Sequence, residues 1–273
     1  MSFSVLMSVY FRETPERLER CLKSIWDSQS LKPDRIIIVE DGPLTDSLYS
    51  VLNHWEDRLN GVLKRISNET NLGLTKSLNK GLSIIDTTYV ARMDSDDYSA
   101  PDRFKLQIEY FDSHPDVFVL GGTIQEFNEE TDCLSVRRYK QCNIKKAITK
   151  GTVVCHATVM MRMDLFKKYG LYYNEKYRTG QDSELWFRVI EKGLNIANLD
   201  DTLYYVYCDN QMMKRRSKKA FCEFEIFTHG IYKLYGVFTW RYIFPLGRLI
   251  MRLLPSGLTK SIYGSSIRKK IVG

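Results

Sequence analysis

The chain has 273 residues, 44% hydrophobic and 27% charged, which suffices for one large domain or a domain with an appendage and excludes a disordered chain. Its six cysteines are scattered with no C-x-x-C pair, so neither a disulfide framework nor a zinc knuckle is expected. The net charge of +7 is unevenly placed: from Gln211 onward 13 basic residues stand against 2 acidic ones, while the first 210 residues hold 27 basic and 31 acidic.

The opening run "FSVLMSVYFRE" reads as a buried strand followed by polar residues, Ser8 and Tyr10 and then Arg12 and Glu13. It has neither the basic start nor the small-residue cleavage site of a signal peptide. No uncharged apolar run reaches the roughly 18 residues that span a bilayer, so a reducing cytosol is the expected setting. Thr14-Pro15 starts a helix with Leu18, Cys21, Leu22 and Ile25 on one face. The strand "RIIIVE" runs into Glu40-Asp41-Gly42, and Leu48, Val51, Leu52 and Trp55 mark a second helix. "VLKRIS" leads to Asn71-Leu72-Gly73 and a helix striped by Leu74, Leu78, Leu82 and Ile85, with Lys76 in its first turns. "YVARMD" runs into Asp94-Ser95-Asp96-Asp97 before a helix expected from Pro101, and "VFVLGG" is the fifth strand. Continuous Val/Ile/Leu runs alternating with amphipathic helices predict an α/β fold with an open, mostly parallel sheet. Residues 1–122 form its first half and 123–210 its second, and 211–273 form a basic, amphipathic helical tail.

In such sheets ligands bind at the carboxyl ends of strands, and four strand ends here carry polar residues, so one shared pocket is expected. In an extended segment alternate residues share a side, which puts Asp94 and Asp96 on one site and Asp97 elsewhere. Neighbouring carboxylates repel unless a cation lies near, and a hard ion such as Mn²⁺ or Mg²⁺, shared with substrate phosphates, satisfies them. A nucleoside diphosphate is the ligand this implies. The alternative is a solvated acidic turn capping the next helix, with Asp97 or Asp102 paired to Arg103. Asp41 can accept a base N–H while Gly42 lets a planar ring approach the backbone, or the two make an ordinary D-G turn. Lys76 could face a nucleotide phosphate, and Asn71 is either a contact or a turn residue. In "YRTGQDSELWFRVIEKG" the buried face Leu185, Trp186, Val189 and Ile190 starts a helix near Asp182. That carboxylate, kept ionised by the helix dipole, is either a general base or an N-cap.

Together these stretches resemble the family 2 glycosyltransferases, with the GT-A fold, over about residues 3 to 205. The family's D-D-G-S turn is matched by Glu40-Asp41-Gly42-Pro43, its N-x-G by Asn71-Leu72-Gly73, its D-A-D-D by Asp94-Ser95-Asp96-Asp97 and its E-D by Gln181-Asp182. Pro43 and Gln181 depart from the usual serine and glutamate. The resemblance implies a nucleotide-sugar site drawn from Ser8, Tyr10, Glu13, Asp41, Asn71, Gly73, Lys76, Asp94, Ser95 and Asp96. Asp41 would meet the uracil edge and Asp94 the ribose or donor-sugar region, with Asp96 and Asp94 on the metal. Asp182 would deprotonate the acceptor hydroxyl. "VVCHATVMMRMDLFKKYG" resembles the acceptor-side strand and helix of the bacterial polysaccharide branch. His156 would there touch acceptor or diphosphate, beside Gln181, or be a hydrogen-bonded histidine in a packed segment. Arg215 and Arg216 either close over the diphosphate or lie in a solvated basic loop.

The implied activity is inverting, metal-dependent transfer of a hexose from a UDP-sugar to a polyprenyl-diphosphate-linked saccharide, giving a β-linkage, in bacterial O-antigen or surface-polysaccharide synthesis. Galactose or glucose is favoured, an N-acetylhexosamine next. Two other classes stay open. A nucleotidyltransferase on a similar sheet would want a Gly-rich phosphate loop, which "SVYFRETPER" lacks, and a sugar-nucleotide binding module would bind without turnover.

In the tail, Leu246, Leu249, Ile250 and Leu253 share one helical face and Arg241, Arg248 and Arg252 another, with Pro245 in the first turn. With Trp240, Tyr242 and "SIRKKI" this segment can lie on an anionic leaflet, at the cytoplasmic face of the inner membrane, without spanning it. The alternative is a helix packed on the catalytic domain or in a homodimer. Nucleic acid is not an expected partner, because the aromatics intersperse with aliphatics at helical spacing.

Overall fold

The computed structural model describes residues 1–139, 143–208 and 220–253. The apolar runs form four strands, β1 (Phe3–Val9), β2 (Arg35–Glu40), β3 (Leu63–Ser67) and β4 (Tyr89–Arg92), and the amphipathic segments between them form α1 (Pro15–Ile25), α2 (Asp46–Arg58) and α3 (Leu74–Ser83). Thr14 and Thr45 cap α1 and α2 through their hydroxyls, which accept from Arg17 N (3.4 Å) and Leu48 N (3.3 Å). β1 pairs in parallel with β2 and with β4, and β2 with β3, so all four strands end at the same edge of the sheet.

The second half continues with β5 (Tyr98–Ser99), α4 (Arg103–Ser113), β6 (Val117–Phe127), β7 (Ser135–Arg137), α5 (Ile144–Ala147), β8 (Met160–Arg162), α6 (Met163–Tyr169), α7 (Gln181–Glu191) and β9 (Asn195–Tyr207). The sheet order is β3-β2-β1-β4-β8-β6-β9-β5, with β7 on β6. β8 runs antiparallel to β4 and β6, while β9 is parallel to β6 and so ends at the same edge as β4. α4 begins at Arg103 and not at Pro101, whose carbonyl instead accepts from Ser30 N (3.0 Å) outside the helix.

The pleat divides the core. Val5, Met7 and Val9 face α1, α2 and α4 on one side; Leu6, Ile37 and Val39 face α3 and α7 on the other. Burial on both faces is why these strands read as unbroken apolar runs.

α8 (Ala220–Tyr235) closes the second side by burying Ile226, Phe227 and Ile231, and Phe227 meets Phe187 of α7 edge-on at 5.3 Å. A Cβ on Gly230 would lie 2.3 Å from atoms of the Phe187 ring, so only glycine lets the two helices come this close. A 3₁₀ turn, Trp240–Tyr242, leads into α9 (Ile243–Leu253), with Pro245 in its first turn as expected.

α9 packs on the protein, one of the alternatives the sequence left open, and it does so through its basic side. Arg248 and Arg252 both pair with Glu223 of α8, and the Arg248 guanidinium lies 4.2 Å from the Phe227 ring. The basic side is therefore turned onto the protein, and Leu246, Ile250 and Leu253 are left exposed. No helix among the described residues is long and apolar enough to cross a membrane. Cys21, Cys133, Cys155 and Cys222 are free thiols, and "SIRKKI" lies outside the described residues.

Candidate active site

β4 ends in a buried charge. The Arg92 side chain is 5% exposed, and its guanidinium grips both carboxylate oxygens of Asp94. Burial works against the Arg92 charge, but Asp94 together with Tyr204, Tyr173 and Asp97 outweighs it and holds the group protonated. Asp94 N donates to the Tyr204 hydroxyl of β9 (2.9 Å). Arg103 is fully buried too, and burial lowers it to about 10. It donates to the carbonyls of Arg92 (2.8 Å) and Ala157 (3.3 Å) and to Gln107 (3.2 Å). It does not pair with Asp97 or Asp102, as the capping alternative required.

The strand stops at Arg92, so side-chain alternation does not govern the residues beyond it. Oxygens of Asp94, Asp96 and Asp97 all lie within 4.8 Å of one another. Asp97, expected to face elsewhere, belongs to the group; it is buried and its Oδ1 accepts from Tyr207 N of β9 (2.7 Å). Burial, with the charges of Asp94 and Glu13, raises Asp96 to about 7. Burial, with Asp96 and Asp94, also pushes Asp97 well above the usual carboxylate range. Three crowded oxygen donors, with Asp96 and Asp97 raised, fit a hard divalent cation, whose charge would take the place of the protons on those two. Glu13 reaches this turn from the loop after β1, its Oε2 accepting from Ser95 Oγ (2.6 Å).

On the other flank of β1, Asp41 is buried and holds the loop before α3. Its Oδ1 accepts from Asn68 Nδ2 (3.0 Å) and Leu72 N (2.8 Å), and its Oδ2 from Gly73 N (2.9 Å). Asn71 Nδ2 donates to the Asp41 carbonyl (3.3 Å). Gly42 has φ +87°, and a Cβ there would lie 2.7 Å from Asn71 N. The close approach expected of a ligand ring is thus made by the chain's own backbone. Asp41 N donates to Val9 O (2.7 Å) and Met93 N to Leu6 O (2.9 Å), so the end of β1, with half-buried Ser8 and exposed Tyr10, lies between the two acidic groups. Lys76 is exposed in the first turn of α3.

The cap of α7 is Gly180, in the left-handed region, and Asp182 is the second helical residue. The N-cap alternative for Asp182 therefore falls away. The side chain is half-buried within the positive end of the helix dipole. Burial, with Asp182 adding to it, raises the nearby Tyr173 phenol. The Tyr173 hydroxyl lies 2.7 Å from His156 Nε2, and burial with the Arg92 charge lowers His156 so that it is neutral. The His156 ring also meets Trp186 at 6.2 Å. Gln181 and Trp186 are buried, and neither Gln181 Oε1 nor Trp186 Nε1 has a hydrogen-bond partner among the described residues. Arg215 and Arg216 lie outside the described residues.

Sequence reasoning missed Arg92, Tyr173, Tyr204 and Tyr207. A lone arginine inside "YVARMD", two residues before Asp94, was a signal for the first. The tyrosines arrive from the loop before α7 and from β9, with no local pattern to mark them.

The model of glycosyl transferase family 2 matches residues 4–170. The chain is 38% identical over 215 residues to the amylovoran biosynthesis glycosyltransferase AmsE of Erwinia amylovora, covering 78% of this chain and 79% of that protein. It is 30% identical over 271 residues to the UDP-Gal:alpha-D-GlcNAc-diphosphoundecaprenol beta-1,3-galactosyltransferase of Escherichia coli, covering 98% and 97%. The structure of the mannosyltransferase PcManGT from Pyrobaculum calidifontis, in complex with GDP-Man and Mn²⁺, aligns with a TM-score of 0.66 at 15% identity, over 99% of this chain and 78% of that one.

Proposed function

The chain belongs to the family 2 glycosyltransferases and has their GT-A fold, and from that premise we propose that it transfers a hexose from a UDP-sugar to a polyprenyl-diphosphate-linked saccharide in bacterial surface-polysaccharide synthesis. The names of two relatives support this reading, one through a UDP-Gal donor and a diphosphoundecaprenol acceptor, the other through amylovoran biosynthesis. Galactose or glucose is our preferred donor sugar. The observation that carries the proposal is the convergence of Asp94, Asp96 and Asp97 at a strand end of the sheet.

Those three residues would hold a Mn²⁺ or Mg²⁺ ion, which when bound supplies a Lewis acid for the departing diphosphate. The remaining roles belong to the chain itself. Asp41 Oδ2 keeps acceptor capacity after its bond to Gly73 N, enough for a uracil N–H. Ser8 and Tyr10 flank the base; Asn71, Gly73 and Lys76 border the ribose and phosphates. Glu13 fixes Ser95 and with it the acidic turn.

On the acceptor side Asp182 takes the proton from the attacking hydroxyl, and the helix dipole keeps it ionised for that task. The unpartnered Gln181 Oε1 and Trp186 Nε1 are suited to an acceptor hydroxyl or a water that orients it. Neutral His156, held by Tyr173, can accept or donate there without adding charge. With the base on the face opposite the leaving group, a single displacement inverts the anomeric centre and gives a β-linkage from a UDP-α-sugar. Residues 1–210 carry this chemistry, and 211–273 form an extension that associates peripherally with the cytoplasmic face of the inner membrane.

The test incubates the protein and Mn²⁺ with a panel of UDP-sugars and a synthetic GlcNAc-diphosphate-lipid, following UDP release and product mass. A product heavier by one hexose is the expected result. Transfer from GDP-sugars alone would reject the donor, and UDP binding without product would leave a binding module.

A further inference from the structure

The turn joining α8 to α9 exposes large apolar side chains. Phe238 has no contact that shields it, and Trp240 and Ile243 are 67% and 63% exposed. Scattered apolar residues on a surface need no explanation, but a contiguous aromatic tip does. Three cations border it. Lys145 and Arg241 lie over the Tyr235 ring at 5.7 and 4.1 Å, Lys150 lies over Phe244 at 5.9 Å, and Phe244 packs on Trp240 at 5.4 Å. Among the described residues none of these three cations makes an ion pair, in contrast to Arg248 and Arg252, which share Glu223.

We propose that this turn is a membrane-docking tip: Phe238, Trp240 and Ile243 enter the boundary between headgroups and acyl chains of an anionic bilayer, and Lys145, Lys150 and Arg241 rest on its phosphates. The inference rests on the proposed lipid-linked acceptor for its purpose, and it names the surface that meets the lipid. That surface differs from the one periodicity suggested, because the arginine side of α9 is used up on Glu223. Indole and phenyl groups suit an interface that is apolar at one end and wet at the other. Charge decides between lipid and the other possible covers. A second copy meeting this surface through a two-fold axis would set its own Lys145, Lys150 and Arg241 against the same cations. Residues 254–273 hold four basic and no acidic residues, so the chain's own end is repelled as well. An anionic leaflet complements both.

The test uses the full chain, without donor or acceptor, in flotation with phosphatidylcholine vesicles and with vesicles containing about one third phosphatidylglycerol. Binding to the anionic vesicles alone is expected, weakening with salt, together with a blue shift of Trp240 emission that is absent in Trp240→Phe. Lys145→Glu with Lys150→Glu should lower partitioning at least about 25-fold, since each cation near an anionic surface contributes about fivefold. Phe238→Asp should lower it about tenfold or more, with an unchanged melting curve because the residue is exposed.

Wild-type flotation by Phe238→Asp, or equal binding to both vesicle types, overturns the proposal. So does a dimer that Phe238→Asp dissociates while vesicle binding persists, which would assign the tip to a second copy. Trp240 emission already blue and shielded from quencher before vesicles are added would assign it to the chain's own tail. Vesicle binding by a protein that transfers no sugar would strike the proposed activity and leave this inference standing.

Discussion

Arg92 and Asp94, two residues apart in the chain, face each other through both guanidinium Nη atoms and both carboxylate oxygens, the arginine side chain 5% and the aspartate 32% exposed. An acidic cluster at a strand end is thereby tied to a buried cation that cannot lose its proton. Arg92→Gln removes that cation and leaves three carboxylates crowded around one point. We expect a loss of about 3 kcal/mol, read as a lower midpoint in thermal unfolding. Arg92→Lys, which keeps charge but not the fork, should lose less. Wild-type melting in both variants would show that the pair is not structural.

Asp96 gives the proposed metal site a pH dependence. With the carboxyl raised to about 7, a proton competes with the ion below that pH and not above it. Mn²⁺ affinity should therefore climb with pH up to and through about 7, with raised Asp97 extending the rise, measured by calorimetry or by the spectrum of free Mn²⁺. The stability effect has the opposite sign in metal-free protein. A carboxyl raised in the folded state stabilises below its ordinary range, and that contribution is lost as pH rises through about 7. Added Mn²⁺ should restore melting temperature most at the alkaline end. An affinity indifferent to pH would remove Asp96 from the ligand set.

Asp96→Ala should stay folded, since it relieves repulsion, while metal-dependent turnover falls about a thousandfold. Turnover of UDP-sugar is the readout, alongside circular dichroism. Full activity with chelator present would refute the assignment.

Asp182→Asn keeps the shape of the side chain and removes the proposed base. UDP binding should be unchanged, and transfer should drop by about 10²- to 10⁴-fold in single-turnover measurements. Retained transfer would put the base elsewhere.

Gly42→Ala tests the turn that seats the nucleotide loop. The backbone at φ +87° and the 2.7 Å approach of Asn71 N both oppose a side chain. A cost of about 1–3 kcal/mol is expected, with weaker UDP binding because Asn71 and Gly73 are displaced together. Calorimetry on the variant separates the two effects, and a variant that binds and melts like wild type would show that the turn tolerates a Cβ.

The parallel half of the sheet was legible in the sequence because β1, β2 and β4 are buried on both faces and its helices on one, so period and composition agree. Asp97 was misassigned for a local reason: alternation was carried past Arg92, where the strand had already ended. The tail was left undecided for a non-local one. Periodicity separates the apolar and basic faces of α9, but which face meets the protein was decided by Glu223 on another helix. Arg103 shows the same limit, since a charged residue at the start of a helix gives no hint that it will be buried against the carbonyls of Arg92 and Ala157.

The bare backbone at Gly230 lets α8 rest directly on Phe187 of α7, the helix that begins beside Asp182. The proposed anchor and the proposed base are thus carried by two helices in direct contact. If the hairpin docks as proposed, its contact with α7 couples the angle at which the protein lands to the direction from which an acceptor hydroxyl reaches Asp182.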